Sequence, residues 1–474
     1  MRGGLLLVLC AALGVAHVGV NDVFFEGLAG PYPLYVTVRP PLVIPGVAEI
    51  SIRSAAKDVE SIRITPMTLT GAGSKYPPTA DEAVRSREDG QLFTGGVWIM
   101  GAGSWQVRAT VKGARGEGQV SVPVPAASRK MSRMEPVTGA VLLVLMALLT
   151  AGVVGIAGAA VREAQLGPGE VVDGGRKKRG AVAMGAGLAV ALAVIWLGRG
   201  WWEEEARAYE RSLYRPMTME ATVEGDELRL KLAGSGWMRG NGAVELIADH
   251  GHLMHVFLLR APGVDAVYHV HPERKGQMEF AGKLPAMPAG EYRVFADVVH
   301  ANGFPETMTA VVRLGAGTAG PGGSADDAGA VVGNKPVAVW GQGGRVEFES
   351  VGVVRAGSPV TLRFRILDRD GNPAGNLRSY LGMAAHLGVV KTDFSVFAHI
   401  HPTGNISMAA YEMALSSLVR NPSDVVVSAH SEGKEAKSEV SFPFGFPSAG
   451  RYRLILQFGH VGGIETTAFE LNID

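Results

Sequence analysis

Cysteine is almost absent from this sequence of 474 residues, because the one cysteine, Cys10, lies within the first apolar run. If that run is removed, the mature chain has no thiol, which excludes disulfides and thiolate metal sites. Lipidation is not expected, since Leu9 stands where a lipoprotein signal has a small residue. Net charge is also absent: 45 basic and 45 acidic residues cancel, so no global field favours nucleic acid as a partner.

Long apolar runs are present, and they predict export and a membrane anchor. Residues 1–16 combine Arg2, an apolar stretch and the small residue Ala16, which is typical of a cleaved signal peptide. An uncleaved short anchor is the alternative. Residues 137–161 and 180–198 are each long enough for a transmembrane helix, because about 20 apolar residues cross the hydrocarbon core of a bilayer.

The loop between the two predicted spans, residues 162–179, indicates their orientation. It ends with four consecutive basic residues at 176–179, and short basic loops lie on the cytoplasmic side of a membrane. Both large flanking regions are then outside. We therefore predict an integral protein of the inner (cytoplasmic) membrane with its soluble domains on the extracytoplasmic, periplasmic side.

Glycine (64) and proline (26) are abundant, and they separate short segments of alternating polarity such as Tyr35-Val36-Thr37-Val38. This pattern is typical of half-buried strands joined by tight turns. The predicted fold class is mainly β, with three immunoglobulin-like β-sandwich domains plus two transmembrane α-helices. The predicted segments outside the membrane are an N-terminal domain at 17–128, a juxtamembrane helix at 203–215, a first His-repeat domain at 216–315, a linker unable to support a core at 316–334, and a second His-repeat domain at 335–474.

The two C-terminal domains are divergent copies of one unit. The segment from His255 to Pro272 aligns with that from His386 to Pro402 with a single gap. Further on, a repeated Ala-Gly-x-Tyr-Arg motif is followed in each copy by another histidine. Of the twelve histidines in the chain, eight thus occupy four shared positions: His255, His269, His271 and His300 in the first copy, and His386, His399, His401 and His460 in the second.

The H-x-H pairs point to metal binding. Their spacing places two imidazoles on one face of a strand, with Cα atoms ~6.6 Å apart. The proline that follows each pair ends the strand near a loop. If the other two shared histidines converge on the pair, four nitrogen ligands result, a set that suits Cu(II) or Zn(II). Copper is the metal we predict, with zinc as the second choice. The alternative is that these histidines are hydrogen-bonded residues of the core or rim.

The remaining histidines carry weaker signals. His17 becomes the N-terminus if the signal peptide is cleaved after Ala16, and an N-terminal histidine can chelate Cu(II) through its amino group and ring. His250 and His252 precede the first copy and have no counterpart in the second. We expect them in an exposed loop, with additional ligation of the first site as the alternative. His430 is assigned no role.

At the motifs from His255 to Pro272 and from Leu381 to Pro402, the sequence resembles extracytoplasmic bacterial β-sandwich domains of the YtkA-like and CopC-like kind, over about half of the chain. The resemblance implies small immunoglobulin-like sandwiches associated with copper handling near the membrane.

Three function classes are compatible with these observations. The first is a membrane-anchored extracytoplasmic protein that binds a transition-metal ion, with copper as the predicted metal, through neutral imidazoles and acts as carrier, buffer or sensor. The second is a zinc-dependent hydrolase or hydratase, because an H-x-H pair plus a third histidine resembles the zinc site of carbonic anhydrases. The third is a structural or interaction membrane protein whose domains bind another extracytoplasmic protein or a glycan, with histidines that hold no metal.

Overall fold

The structure is a computed structural model that describes residues 21–164, 166–234, 245–315, 320, 322–333, 336–341, 343–349, 352–418 and 435–474. Strands dominate these residues, so the prediction of a mainly β fold is confirmed. The predicted signal peptide, His17 and His430 lie outside the described residues. The chain forms two compact units, one from Met1–Ala127 together with Arg215–Asp474 and one from Ser128–Tyr214.

The N-terminal region contributes nine strands to the first unit: β1 (Val23–Ala29), β2 (Tyr32–Arg39), β3 (Gly46–Ser54), β4 (Val59–Thr68), β5 (Asp81–Glu82), β6 (Val84–Arg85), β7 (Leu92–Ile99), β8 (Gly103–Gly113) and β9 (Gly116–Ala126). One sheet has the order β1-β2-β3-β7-β6 and the other the order β5-β4-β8-β9. Alternation explains how they pack: along β3, Ala48, Ile50 and Ile52 are buried in a core shared by both sheets, and the residues between them are more exposed.

The second unit consists of two helices, α1 (Pro136–Glu163) and α2 (Gly174–Arg211), and both are long and apolar enough to cross a membrane. Asp173 caps α2, because its side chain accepts a hydrogen bond from the Arg176 backbone N–H at 2.8 Å. The helix continues without a break to Arg211. The predicted separate juxtamembrane helix at 203–215 and the loop extending to 179 were therefore wrong, since charged pairs such as Arg199–Glu203 favour continuation of the helix.

The first C-terminal domain is built from ten described strands: β10 (Thr218–Glu224), β11 (Glu227–Ala233), β12 (Leu246–Ile247), β13 (His255–Arg260), β14 (Ala266–Val270), β15 (Glu273–Arg274), β16 (Glu279–Lys283), β17 (Gly290–His300), β18 (Pro305–Leu314) and β19 (Ala328–Val331). They form a sheet β10-β11-β16-β15 and a larger sheet β12-β17-β13-β14-β19, in which β18 also pairs with β17. The prediction that 316–334 is a linker without a core was wrong in part, because β19 pairs with β14 and Ala328 is buried.

The second C-terminal domain repeats this plan with β20 (Val339–Trp340), β21 (Gly344–Phe348), β22 (Pro359–Leu367), β23 (Leu377–Arg378), β24 (His386–Lys391), β25 (Phe397–Ile400), the helix α3 (Met408–Ser416), β26 (Glu439–Gly445), β27 (Gly450–His460) and β28 (Gly463–Ile473). Its sheets are β20-β21-β22-β26 and β23-β27-β24-β25, and β28 pairs with β27. The registers match those of the first copy: His255 is opposite Asp297 and His386 is opposite Gln457.

The larger sheets of the two domains pack against each other. β13 is buried on both faces: Val256 and Leu258 lie in the core of their own domain, and Phe257 and Leu259 lie in a separate core between the domains. From the second domain, Val390, Phe397 and Ile455 fill the same interface core. Burial on both faces explains why these strands read as continuous apolar runs instead of alternating ones.

The N-terminal region docks on the loop that follows β25. The backbone N–H of Glu26 donates to the carbonyl of Thr403 at 2.9 Å, and the side-chain oxygen of Asn405 accepts from the backbone N–H of Phe24 at 2.8 Å. Gly404 lies so close to the Phe24 carbonyl that a Cβ at this position would overlap it. The loop between the last H-x-H pair and α3 is therefore held by β1 of the N-terminal region.

Candidate metal centre

Strand parity brings the strand histidines to one place. His255 shares the interface face of β13 with Phe257, and His386 has the same position on β24. The H-x-H pairs at the ends of β14 and β25 are separated by even numbers of residues from Val267 and Phe397, so they lie on the same interface faces of these strands. Together with the turn before β13 they form one cluster of eight rings, with neighbouring centroids 4.1 to 6.1 Å apart: His250, His252, His255, His269, His271, His386, His399 and His401.

The first set within this cluster is His255, His269 and His271. The Nδ1 atom of His255 lies 3.1 Å from Nε2 of His269 and 3.2 Å from Nε2 of His271. All three ligand atoms lie within 4.8 Å of one another. Nitrogens bound at 2.0–2.1 Å to one tetrahedral ion are about 3.4 Å apart, so this set is close to the size that a metal ion requires.

The outer nitrogen of each ring in the first set has its own acceptor. Nε2 of His255 lies 2.9 Å from the Asp249 carbonyl oxygen, Nδ1 of His271 lies 3.1 Å from the Asp327 carboxylate, and Nδ1 of His269 lies 3.1 Å from Gln457 Oε1. Carbonyl and carboxylate oxygens only accept hydrogen bonds, so the outer nitrogens carry the protons. The inner nitrogens of neutral rings then present three bare lone pairs to one point, as metal-binding histidines with oriented outer N–H groups do.

The second set uses the equivalent nitrogens of the second copy. Nδ1 of His386 lies 3.0 Å from Nε2 of His399, and the outer nitrogens of His386 and His401 lie 3.1 Å from the carbonyl oxygens of Tyr380 and Ile406. His250 reaches across from the first domain, and its Nε2 lies 3.1 Å from Nε2 of His401. His250, His386 and His401 again have ligand atoms within 4.8 Å of one another.

Burial keeps these rings neutral. Desolvation first, and repulsion from neighbouring imidazoles second, lower the pKa of six of them well below the ordinary value of about 6.5: His255, His269, His271, His386, His399 and His401. The inner nitrogens therefore bind a proton only weakly near neutral pH. Neutral imidazole is also the form that binds metal ions.

The two copies differ at the residue that faces the first histidine of the H-x-H pair in the other copy. Gln457 of the second domain contacts His269, and the equivalent Asp297 of the first domain faces His399, with 3.8 Å between Oδ2 and Nδ1. Burial raises the pKa of Asp297 to about 7, and Thr307 donates a hydrogen bond to its carboxyl group. Gln457 of the second domain therefore helps to orient His269 of the first, so the cluster depends on both domains.

His252 occupies the outer edge of the cluster. Its ring stacks on His271 with centroids 4.1 Å apart, and its Nε2 lies 3.2 Å from the Asp326 carboxylate. With a side chain that is 24% exposed, it is more accessible than the rings of the two sets. Asp326 and Asp327 thus place adjacent carboxylates on an outer and an inner histidine.

Two predicted ligands lie elsewhere, and their inclusion is corrected. His300 pairs with Glu306 at 2.8 Å and His460 with Glu465 at 3.1 Å, and neither belongs to the cluster. Their parity gives the physical reason. His300 has the parity of Val294, Ala296 and Val298, which lie in the core of their own domain, and His460 has the equivalent position on β27. The fourth shared position thus faces away from the domain interface.

The sequence analysis expected His250 in an exposed loop, and that expectation was wrong. The residue is only 5% exposed, and its ring lies against those of His386 and His401 in the second set. It adopts a left-handed backbone conformation (φ 50°) in a turn that closes between Asp249 and His252. Leu381 has the same conformation (φ 49°) in the equivalent turn of the second copy. The sequence signal for this role was the H-x-H spacing of His250 and His252, which is the same as in the two repeated pairs.

The structure thus defines a mainly β protein in which the described residues include a largely buried cluster of eight histidines between two related domains. Residues 219–315 and 339–474, the two copies, match a sequence family described as a domain of unknown function (DUF8832). No curated protein matches the chain.

Solved structures share only a weak likeness with the chain. An engineered protein is 21% identical over 19% of this chain and 20% of its own, with a TM-score of 0.16. Dimeric latent PorU from Porphyromonas gingivalis is 8% identical, over 96% of this chain and 34% of that one, with a TM-score of 0.16. A membrane-anchored protein from Corynebacterium diphtheriae is 7% identical over 95% of both chains, with a TM-score of 0.18. This chain therefore spans about a fifth and about a third of the first two structures.

Proposed function

We propose that this protein is a membrane-anchored, extracytoplasmic carrier, buffer or sensor of a transition-metal ion, with copper as the leading metal and zinc as the second. One observation carries the proposal. The inner nitrogens of His255, His269 and His271 converge to 3.1 and 3.2 Å, and every outer nitrogen of these rings has an acceptor. Bare lone pairs at this separation repel one another, and a bound cation turns that repulsion into coordination.

The donor set supports the choice of metal. Imidazole suits copper and zinc, and the described site has no carboxylate among its converging ligand atoms that would favour magnesium or calcium. Copper is preferred over zinc by the order of divalent ion affinities at nitrogen sites. The likeness to YtkA-like and CopC-like copper domains agrees with this choice and stays a prediction.

Deep burial favours binding over catalysis. The rings of His269 and His386 are at most 1% exposed, and Phe257 stacks on His269 with centroids 4.1 Å apart. A hydrolase or hydratase must admit a substrate to the metal, and within the part of the chain that the structure describes these two rings have almost no exposed surface. A store or sensor needs only an ion to enter, which smaller fluctuations permit.

The anchor and its orientation belong to the same proposal. The regions before and after the helix pair form one compact unit, so a hairpin of α1 and α2 across the bilayer would leave both on one side. The basic residues at 176–179 lie at the start of α2, at the turn of that hairpin, and favour the cytoplasm for the turn. We therefore place the histidine cluster on the extracytoplasmic side of the inner membrane.

The test is a metal titration of the full chain in detergent. After loading with Cu(II) or Zn(II) and removal of excess ion by gel filtration, elemental analysis should find metal retained by the wild-type protein. The His269→Ala variant should lose it from the first set, and the His460→Ala variant, whose histidine lies outside the cluster, should retain it. Absence of retained copper and zinc in the wild-type protein would refute the proposal.

A further inference from the structure

The two histidine sets are not separate in space. The centroid of His399 lies 5.3 Å from that of His269 and 5.6 Å from that of His255, and the centroids of His250 and His255 are 6.1 Å apart. Rings of the two sets are therefore direct neighbours. This spacing is close to that within one set, where the centroids of His255 and His269 are 5.3 Å apart.

We infer that the cluster is a single two-metal centre shared by the two C-terminal domains, in which His250 crosses the interface and completes the ligand set of the second ion. This inference rests on the proposed function. It differs from the arrangement expected from the repeat, in which the four shared histidines of one copy converge on one ion.

The assignment of ligands follows from the inner nitrogens. The first ion takes Nδ1 of His255 and Nε2 of His269 and His271, all from the first domain. The second ion takes one ring nitrogen each from His386 and His401 of the second domain and from His250 of the first, three ligand atoms that lie within 4.8 Å of one another. Each ion thus has three protein ligands and keeps an open coordination position.

The separation of the two ions has an upper limit. A bound ion lies about 2 Å from its ligand nitrogen and therefore about 3.2 Å from the ring centroid. With centroids of His255 and His250 6.1 Å apart, the ions are separated by no more than about 13 Å. At that distance the unpaired electrons of two Cu(II) ions interact strongly enough to broaden an electron paramagnetic resonance spectrum.

The surrounding charges fit two ions that share one centre. One carboxylate supports each set, Asp327 through His271 and Asp297 beside His399. When both are ionised, these two carboxylates balance the charge of two Cu(I) ions. Two Cu(II) ions leave two positive charges, which a small anion such as hydroxide at an open position would reduce.

The experiment combines metal counting with electron paramagnetic resonance on the full chain in detergent, loaded with Cu(II) and freed of excess ion. We expect two copper ions per chain and a spectrum broadened by spin–spin interaction, with a half-field transition. His250→Ala should retain one copper ion and give a sharp, isolated spectrum. His252→Ala, which removes a ring of the same turn at the outer edge of the cluster, should retain both ions and the broadening.

A second measurement does not depend on the folding of a variant. Wild-type protein loaded with a small fraction of Cu(II) in excess Zn(II) should give the sharp spectrum, because most copper ions then have a diamagnetic neighbour. Two copper ions with magnetically isolated spectra in the fully loaded protein, or one copper ion in the wild type, would overturn the two-metal centre and leave the proposed metal binding intact. No bound copper or zinc would overturn both.

Discussion

Acid should destabilise the metal-free protein steeply, because six buried imidazoles have a pKa well below that of the unfolded chain. The unfolded state takes up protons as the pH falls below about 6.5, and the folded state does not. Between pH 7.5 and 5.5 the six histidines together then lower the free energy of unfolding by up to about 8 kcal/mol. Asp297 acts in the opposite direction: its pKa is raised to about 7, so the folded state gains a proton and recovers about 2 kcal/mol.

The net loss of about 6 kcal/mol is comparable with the whole stability of many domains. It can be measured by urea unfolding of the chelator-treated chain in detergent, followed by circular dichroism at pH 7.5, 6.5 and 5.5. The triple variant His255→Gln, His269→Gln, His271→Gln should show about half the histidine contribution. A stability that does not change over this range would refute the reasoning, because it would mean that the rings titrate alike in the folded and unfolded chain.

Three further outcomes are expected. Asp327→Asn should lower metal affinity ~10- to 100-fold in a competition titration, because the carboxylate orients His271, whereas Asp326→Asn, at the neighbouring exposed position, should change it little. His300→Ala should lower the free energy of unfolding by about 3 kcal/mol, since it breaks a buried pair with Glu306, and metal stoichiometry should not change. Gly404→Val should separate the N-terminal region from the loop after β25, so limited proteolysis should cleave that loop faster than in the wild type.

The internal repeat and period-two alternation predicted much of the site. They predict that both histidines of each H-x-H pair lie on the same face of a strand, and the structure places the ring centroids of His269 and His271 4.5 Å apart. Alternation also separates His300 from Asp297, which have opposite parity on β17. It could not reveal that the face of β17 opposite to His300 meets the other domain, because that face includes Glu291, Arg293 and Asp297 and reads as partly exposed.

Other features depend on contacts that the sequence does not encode locally. The glycine-rich composition of 316–334 concealed β19 and the two aspartates that contact His252 and His271. His250 stands in a turn, where side-chain direction depends on a left-handed backbone conformation and not on strand periodicity. Its contact with the second set requires the packing of two domains, which periodicity within either domain cannot predict.

The docking of β1 on residues 403–405 has a consequence for biogenesis. Phe24 and Asn405, which are joined by a hydrogen bond, are 381 positions apart in the chain, and the helix pair lies between them. During synthesis β1 is therefore an uncovered sheet edge until almost the whole chain has been made, and such edges invite wrong strand pairing. Assembly of the mature protein should accordingly be slow, and a chain truncated before the last domain should be prone to aggregation even though its first sheets are complete.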